Sequence, residues 1–269
     1  MFCRQCAGIF GGSATRRSAR PGRSVTVTTT AGGARATGAG SEPAPAEDTA
    51  ALARLLDGRR SCRAYLAEPL ERATIEAVLD LARRTPSWCN TQPWQVMVTE
   101  GEGTDRFRGA LLDHLAGQSM APDFPFPERY EGEFDKRRKE CAWQLYDAVG
   151  IEYGDRRASA AQTVKNFEFF GAPHVAIVTT EAALGTYGAV DCGLYVQSFL
   201  LAAESLGLGA IPQAALAAYS PFIRSHFGLP ESRHVVCGIS FGRPDVDAAA
   251  NAFRTRRREV DDTVSWFSS

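Results

Sequence analysis

Residues 174–180 read HVAIVTT, and residues 234–241 read HVVCGISF. Both runs are almost continuously apolar, a pattern that predicts strands covered on both faces. Between them, residues 188–206 are predicted to form a long helix that packs in the core. Asp191 and Glu204 lie within this apolar stretch, and two charges would oppose a position at the centre of a bilayer. These segments together predict a fold with a sheet at its centre and a buried helix.

Shorter helices and strands alternate on both sides of this centre. Apolar residues at i, i+3, i+4 and i+7, beginning at Ile75, predict a helix that Pro86 stops. Helices are predicted over residues 49–56, 71–84, 104–115, 134–149, 159–170 and 221–227. Further strands are predicted over Gln95–Thr99, around residues 210–211 and, at an edge, over residues 263–267. Interleaved strands and helices predict a mixed fold built around a central sheet.

The composition is that of a globular protein with enough apolar residues for one sizeable core. The chain has 269 residues, 44% of them hydrophobic, and a net charge of −1. So small a charge gives no support for binding to nucleic acid or to an acidic membrane surface. The seven cysteines are odd in number and predict buried thiols in a reducing compartment rather than a disulfide framework. Cys3 and Cys6 form a CxxC without a second pair, so no metal site is predicted.

The first 47 residues differ from the rest and are predicted to lie outside the folded domain, which takes residues 48–269. They are rich in Arg, Gly, Ala, Ser and Thr, and their first acidic residue is Glu42. Such a segment cannot bury enough apolar surface to order itself, so it is predicted to be disordered. Its composition also suits an organelle transit peptide; the alternative is a tail without a role, or an unused upstream start. The predicted location is the cytoplasm, or an organelle if this segment directs import.

No common hydrolase, metalloprotease or nucleotide-binding site is evident in the chain. HExxH, GxGxxG and GxxxxGK[ST] are absent. GISFG at residues 238–242 has the GxSxG spacing but falls in a predicted buried strand, so no nucleophile elbow and no catalytic side chain are predicted. Three other clusters are unusual for a plain core. They are RRSCR at residues 59–63, NAFRTRRR at residues 251–258 and TPSWCNTQPWQV at residues 85–96.

The two arginine clusters suit a phosphate group, which a guanidinium binds through two parallel hydrogen bonds. A solvated basic turn is the alternative for each cluster taken alone. Because the clusters occur at opposite ends of one domain, we expect them to converge in the fold. The third cluster offers flat rings and amide groups, from Trp88, Trp94, Asn90 and Gln92. A planar heterocycle carrying a phosphate would use all three clusters, with backbone N–H groups from residues 207–214.

Four motifs in the chain closely resemble the FMN-dependent nitroreductase family, in particular its nitrobenzoate and nitroaromatic reductases. They are RRSCRAY (59–65), RTPSWCNTQPWQV (84–96), IPQAAL (211–216) and GISFGRPD…NAFRTRR (238–257). The resemblance runs from about residue 50 to the C-terminus. It implies an α+β, nitroreductase-like fold with a central mixed sheet flanked by helices. It also implies an intertwined homodimer that holds two FMN molecules at its interface.

The resemblance further implies a set of FMN contacts. The phosphate, ribityl and pyrimidine end would be held by Arg59, Arg60, Ser61 and Arg63, and the phosphate contacts would be completed by Arg254 and Arg256. One flavin face would be lined by Pro212, Gln213 and Ala214, with a backbone N–H pointing at flavin N5. A wall for the flavin ring and the substrate would come from the other subunit, through its Pro86, Ser87, Trp88 and Asn90. Trp88 departs from the small residue often found there and would narrow the pocket, whereas Trp94 is expected to pack in the core.

The implied activity is the NAD(P)H-dependent reduction of nitroaromatic or similar planar, electron-poor substrates. The nucleotide would deliver hydride to flavin N5 and leave before the substrate enters the same cleft, which predicts ping-pong kinetics. Arg63 is the candidate cation for stabilising the reduced flavin near N1. Two alternatives stay open. One is another activity of the same family, such as that of a dehalogenase, an azole-forming dehydrogenase or a flavin reductase. The other is a flavin or nucleotide carrier without turnover.

Overall fold

The computed structural model describes residues 46–115 and 117–268. The helices in these residues are α1 (Ala46–Gly58), α2 (Arg72–Ala82), α3 (Glu102–Leu115), α4 (Gly132–Ala148), α5 (Arg156–Val164), α6 (Gly185–Ser205) and α7 (Ser220–Phe227). The strands are β1 (Gln95–Thr99), β2 (His174–Glu181), β3 (Gly209–Gln213) and β4 (Arg233–Gly242). The predictions made for residues 1–45 lie outside the described residues.

The strands form one sheet in the order β1-β2-β4-β3, and each neighbouring pair is antiparallel. The two long apolar runs become β2 and β4 at the centre of this sheet, with His174 opposite Phe241. Residues 174–180 are all buried, which confirms that β2 is covered on both faces. The expected α+β class, with helices around a central sheet, is confirmed. The sheet was expected to be mixed, but its four strands pair only antiparallel, and parallel pairing is limited, in the described chain, to an isolated bridge between Ser61 and Ala210.

Alternate residues of the central strands supply two apolar cores on opposite faces of the sheet. Ala176 and Val178 belong to the first core, which α2 and α6 cover. Val175 and Ile177 belong to the second core, which α3 and α7 cover. Because side chains alternate between the two faces of a strand, a continuous apolar run serves both cores.

The predicted core helix is α6, which begins at Gly185, three residues before the predicted start. One of its sides packs in the first core, where the Tyr195 ring stacks on the Trp94 ring with centroids 5.1 Å apart. Trp94 therefore packs against the core, as expected. Throughout the described residues, no helix is both long enough and apolar enough to cross a membrane.

The predicted edge strand over residues 263–267 is wrong. These residues follow a short turn at Val260–Asp262 and have no extended pairing. Trp266 and Phe267 are 77% and 94% exposed. A strand needs a neighbour to satisfy its backbone N–H and C=O groups, and no described segment of this chain lies beside residues 263–267 as a partner strand.

The helix predicted to extend to residue 170 is also shorter than expected. It ends at Val164 as α5. Phe169 and Phe170 have φ angles of +59° and +53°, which a right-handed helix excludes. The burial of both rings accounts for this conformation, since tertiary packing overrides local helix preference.

Three of the cysteines confirm the expectation of buried thiols. Cys62, Cys192 and Cys237 are buried, whereas Cys141 is partly buried and Cys89 is exposed. Burial raises the pKa of Cys192 to about 11 and that of Cys237 to about 12. These two residues therefore behave as small neutral groups of the core at neutral pH.

His174 joins two segments at the start of β2. Its Nε2 accepts a hydrogen bond from the Leu70 backbone N–H at 2.9 Å, and its Nδ1 lies 3.2 Å from the Thr99 carbonyl oxygen. This pattern requires the neutral ring, because only an unprotonated Nε2 can accept. Burial lowers the pKa of His174, while the Thr99 carbonyl opposes that shift.

We expect the stability of the protein to decrease as the pH falls below about 6.5, the ordinary pKa of histidine. Below that pH the unfolded chain binds a proton at His174, whereas the folded chain does not, because the pKa of His174 is lowered on folding. The contribution of His174 to the free energy of unfolding is therefore fully present above about pH 6.5 and is lost progressively below it. Chemical denaturation between pH 5 and pH 8 would measure the dependence. His174→Gln should flatten the curve more than His226→Gln, since His226 is exposed although its pKa is also lowered by burial. Equal slopes in both variants would contradict the assignment to His174.

Candidate active site

The first arginine cluster lies in an extended segment that follows α1 and runs beside β3. The Cys62 N–H donates to the Ala210 carbonyl at 3.2 Å, next to the Ser61–Ala210 bridge. The Tyr65 hydroxyl lies 3.0 Å from the Cys62 carbonyl and 2.9 Å from the Ser240 carbonyl. These contacts fix the segment against the sheet, so its arginines start from a rigid backbone.

Asn251 connects this segment to the second arginine cluster. Its Oδ1 accepts from the Arg63 backbone N–H at 2.7 Å, and its Nδ2 donates to the carbonyls of Ala64 at 2.9 Å and Asp245 at 2.8 Å. The residue is only 3% exposed, and a buried amide with all of these bonds formed holds its partners firmly. The expected convergence of the two clusters is therefore a feature of the fold.

Between the two clusters lies a cavity of about 390 Å³, here called the arginine cavity. Five guanidinium groups line it, those of Arg59, Arg60, Arg63, Arg254 and Arg257. Its other lining residues are Leu56, Asp57, Ser61, Cys141, Phe253 and Thr255. Among the described residues, none of the five arginines forms an ion pair within 4.0 Å. Unpaired cations gathered in one cavity favour an anionic ligand.

The charges in the arginine cavity are partly removed from water. Burial lowers the pKa of Arg63, whose guanidinium lies over the Phe253 ring at 5.4 Å and donates to the Ser61 carbonyl at 3.3 Å. Burial also lowers the pKa of Arg59, the positive charge of Arg257 lowers it further, and Glu204 opposes both effects. The Arg60 Nε is buried and has no hydrogen-bond partner in the described part of the chain. A ligand with several acceptor oxygens would supply the missing partners.

Arg256 lies apart from this group. Its Nε is 3.8 Å from the Glu140 carboxylate, and its side chain is 88% exposed. It lines a neighbouring cavity beside α4, together with Arg137 and with Arg257, which lines both cavities. Of the arginines at positions 254, 256 and 257, the structure thus places Arg254 and Arg257 in the lining of the arginine cavity, but not Arg256. The sequence shows four arginines in the five positions from 254 to 258, and that pattern gave no means of choosing among them.

The residues predicted to form a wall, here called the wall segment (residues 86–90), lie against α6 and do not line the arginine cavity. The Trp88 ring meets the Tyr187 ring edge-on with centroids 4.6 Å apart. Trp88 remains 48% exposed. The Ser87 hydroxyl accepts from the Gln92 N–H at 2.9 Å. Within one chain, the wall segment therefore presents an exposed aromatic ring on the outer side of α6.

Pro212, Gln213 and Ala214 lie at the end of β3, where a short 3-10 turn begins. The Gln213 side chain is buried: its Nε2 donates to the Asn166 carbonyl at 2.7 Å, and its Oε1 accepts from the Ser240 hydroxyl. The side chains of Pro212 and Ala214 are exposed. These residues do not line the arginine cavity, and Gln213 is only 3% exposed.

An α+β domain in which partly buried and exposed arginines line one cavity without ion pairs among the described residues has the features of the proteins that bind phosphate-bearing cofactors. Residues 56–243 match the model of the Nitroreductase family, and the chain belongs to that family. It is 36% identical over 226 residues to nitroreductase NfnB of Mycolicibacterium smegmatis, covering 82% of this chain and 94% of that protein. It is 33% identical over 199 residues to 4-nitrobenzoate reductase of Pseudomonas putida, covering 74% of this chain and 88% of that protein.

A solved structure agrees with these relatives. It is the crystal structure of the FMN-dependent nitroreductase NfnB from Mycobacterium smegmatis in complex with NADPH. The TM-score is 0.78 at 34% sequence identity, with 82% of this chain and 99% of that chain covered. The fold described above is therefore the nitroreductase fold.

Proposed function

We propose that this protein is an FMN-dependent oxidoreductase that uses NAD(P)H to reduce nitroaromatic or similar planar, electron-poor compounds. The observation that carries the proposal is the arginine cavity, in which five arginines of the two distant clusters meet and, among the described residues, form no ion pair within 4.0 Å. Membership of the nitroreductase family and similarity to nitroaromatic reductases support it. The shared chemistry of this proposal and the similar proteins is electron transfer from a nicotinamide nucleotide through a flavin.

The residues of the arginine cavity fit the phosphate end of FMN. Arg60 has an unsatisfied buried Nε, and Arg63 is desolvated without a carboxylate partner. We assign the phosphate and ribityl contacts to Arg59, Arg60, Ser61, Arg63 and Arg254, and add Arg257. When bound, FMN supplies the hydride-accepting and electron-donating chemistry. The protein supplies position and charge, since Asp57 is the only carboxylate lining the described cavity and no side chain there is placed to act as an acid.

Within one chain, the wall segment does not line the arginine cavity. It could contact a flavin only in a second subunit. Exposed apolar side chains occur at Leu184, just before α6, and at Tyr187, Val190 and Leu194 of α6. α1 contacts α6 and exposes Leu52 and Leu56. Exposed apolar side chains on two helices in contact suit a protein interface. We propose that a second copy of this chain covers these side chains in a homodimer, which would place Pro86, Ser87, Trp88 and Asn90 beside the partner's flavin.

One anaerobic titration tests the proposed function. The purified protein should be yellow, and the chromophore released on denaturation should be FMN, one per subunit. Addition of NADPH or NADH should bleach the flavin band, and a nitroarene should then restore it. Colourless protein that cannot be reconstituted with FMN would overturn the cofactor assignment. Flavin that neither nucleotide reduces would favour a carrier instead of an enzyme.

Trp88→Ser is expected to change the choice of nitroarene more than it changes FMN binding. An aromatic side chain buries 150–250 Å² in a contact, and loss of one pocket contact is worth about 1–3 kcal/mol in relative kcat/KM. Steady-state kinetics with a small and a bulky nitroarene would measure this ratio. Because Trp88 is 48% exposed in the chain, its loss should destabilise the protein by less than the roughly 3–5 kcal/mol of a fully buried tryptophan. A large fall in the thermal midpoint with an unchanged substrate ratio would remove Trp88 from the pocket.

We propose that residues 48–269 form the catalytic domain and that residues 1–47 are dispensable for turnover. The proposed location is the cytoplasm, or an organelle if the first segment acts as a transit peptide. A chain that begins at Ala46 should keep the FMN content and kcat of the full-length protein. Loss of either property, measured by flavin absorbance and steady-state assay, would show that the first segment contributes to the folded enzyme.

A further inference from the structure

A buried carboxylate on α6 accepts a hydrogen bond from the backbone of the wall segment. Asp191 is buried, and its Oδ1 and Oδ2 lie 3.2 Å and 3.1 Å from the Trp88 backbone nitrogen. No lysine, arginine or histidine in the described chain forms an ion pair with it within 4.0 Å. A buried charge is costly unless hydrogen bonds compensate it, and in the described chain the Trp88 N–H is the donor bonded to this carboxylate.

The backbone next to Trp88 is in an unfavourable conformation. Cys89, Asn90 and Gln92 have φ angles of +53°, +54° and +46°, in the left-handed region that side chains with a Cβ avoid. Such conformations persist only where the surroundings over-determine them, and they concentrate at ligand sites. The Ser87 side chain, at the N-cap of the turn at Trp88–Asn90, accepts no capping hydrogen bond from it. Asp191, on another element, accepts from the Trp88 N–H at the first position of the turn.

One further contact holds the wall segment to the same side of α6, and another holds Thr85, which precedes the segment. The Trp88 ring meets the Tyr187 ring, and the Thr85 hydroxyl donates to the Ser198 hydroxyl at 2.7 Å. Tyr187 and Asp191 are four positions apart and therefore share a helix face. The Trp88 side chain and its backbone N–H are thus held by adjacent turns of one rigid helix.

We propose that Asp191 is a positioning residue that fixes the orientation of Trp88, and through it the shape of the substrate cleft. The inference rests on the proposed function, because it gives Trp88 a substrate to contact. A bond from a backbone N–H to a charged carboxylate is shorter and stronger than one to a neutral acceptor. Removal of the carboxylate would leave the left-handed turn without the bond that selects it, and the indole would sample other positions.

The Trp88 backbone amide gives a direct readout that does not depend on activity. The chain has four tryptophans, Trp88, Trp94, Trp143 and Trp266, so protein labelled with 15N-tryptophan should give four backbone amide signals, and Trp88→Phe would identify the relevant one. Asp191→Ala should move that signal upfield and speed its exchange with solvent. Asp191→Asn keeps an oxygen acceptor without the charge and should give a smaller change. Ser198→Ala, which removes the neighbouring anchor at Thr85, is the matched control and should leave the Trp88 signal in place.

The kinetic arm compares kcat/KM for a small and a bulky nitroarene in the FMN-loaded enzyme. Asp191→Ala should change this ratio by about fivefold or more, within the range expected for loss of one pocket contact, while Asp191→Asn should stay within about twofold of the unchanged protein. A lower thermal midpoint with an unchanged Trp88 signal and an unchanged ratio would overturn the proposal.

If Asp191→Ala does not fold, Asp191→Asn decides the matter. A Trp88 amide that is unmoved in the Asn variant would overturn the proposal, since the loss of charge must weaken the bond. Failure of the unchanged protein to reduce any nitroarene would instead count against the proposed function. In that case the amide signal would still decide whether Asp191 holds Trp88.

Discussion

Arg257→Ala is expected to weaken FMN binding about ten- to a hundredfold, the equivalent of about 1.5–3 kcal/mol for a hydrogen bond to a charged group. Arg257 lines the arginine cavity, and its charge lowers the pKa of Arg59, which places the two guanidinium groups close together. An anion between them would relieve this repulsion. Fluorescence titration of the FMN-free protein with FMN would measure the dissociation constant.

The neighbouring residue provides the control. Arg256 has the same side chain one position earlier but lies beside Glu140, outside the cavity. Arg256→Ala should therefore change the FMN dissociation constant by less than about threefold, since exposed ion pairs and surface charges contribute little. Arg254→Ala should behave like Arg257→Ala, because Arg254 lines the same cavity. If Arg256→Ala lost affinity and Arg257→Ala did not, the assignment of Arg257 would be wrong and the sequence-based choice of Arg256 would be right.

Asp123→Ala is expected to cause the largest loss of stability, about 3–5 kcal/mol in the free energy of unfolding. Asp123 lies in the proline-rich loop at residues 122–127, and its Oδ2 accepts from Arg224 at 2.5 Å and from the Val235 backbone N–H at 2.8 Å. The side chains of the ion pair are only 9% and 14% exposed. Removal of the carboxylate would leave a mostly buried guanidinium and a backbone N–H of β4 without their acceptor.

Urea denaturation at saturating FMN would measure this loss, because a fixed ligand excess keeps the contribution of cofactor binding constant. Asp80→Ala is the matched control. Asp80 also accepts from two arginines, Arg83 and Arg84, but its ion pairs are exposed and should be worth less than about 1 kcal/mol. Equal losses in the two variants would mean that burial of the Asp123–Arg224 pair does not determine its contribution.

The sequence alone determined those helices and strands whose apolar residues follow a regular pattern. The continuous apolar runs of β2 and β4 predicted strands covered on both faces, and Gln95–Thr99 was predicted with the bounds that the structure has. The helical spacing that begins at Ile75 predicted α2, to within two residues at its C-terminal end. These patterns can be read locally, because the position of a residue along a helix or strand fixes the face on which its side chain lies.

The sequence also supplied the chemistry of the site. The two arginine clusters predicted a phosphate-bearing ligand, since guanidinium groups keep their charge in any fold. The four motifs then predicted the family, which the match over residues 56–243 bears out. None of this required knowledge of how distant segments pack.

The tertiary structure decided everything that depends on contacts between distant segments. It chose antiparallel pairing for the strands, placed Arg257 rather than Arg256 in the cavity, and turned the Gln213 side chain into the interior. It also left residues 263–267 without a partner strand in the described chain. Neighbouring arginines are chemically identical in a sequence, and a backbone N–H such as that of Trp88 carries no sign of its acceptor. Only the packing of α6 against the wall segment brings Asp191, 103 positions away, to within hydrogen-bonding distance.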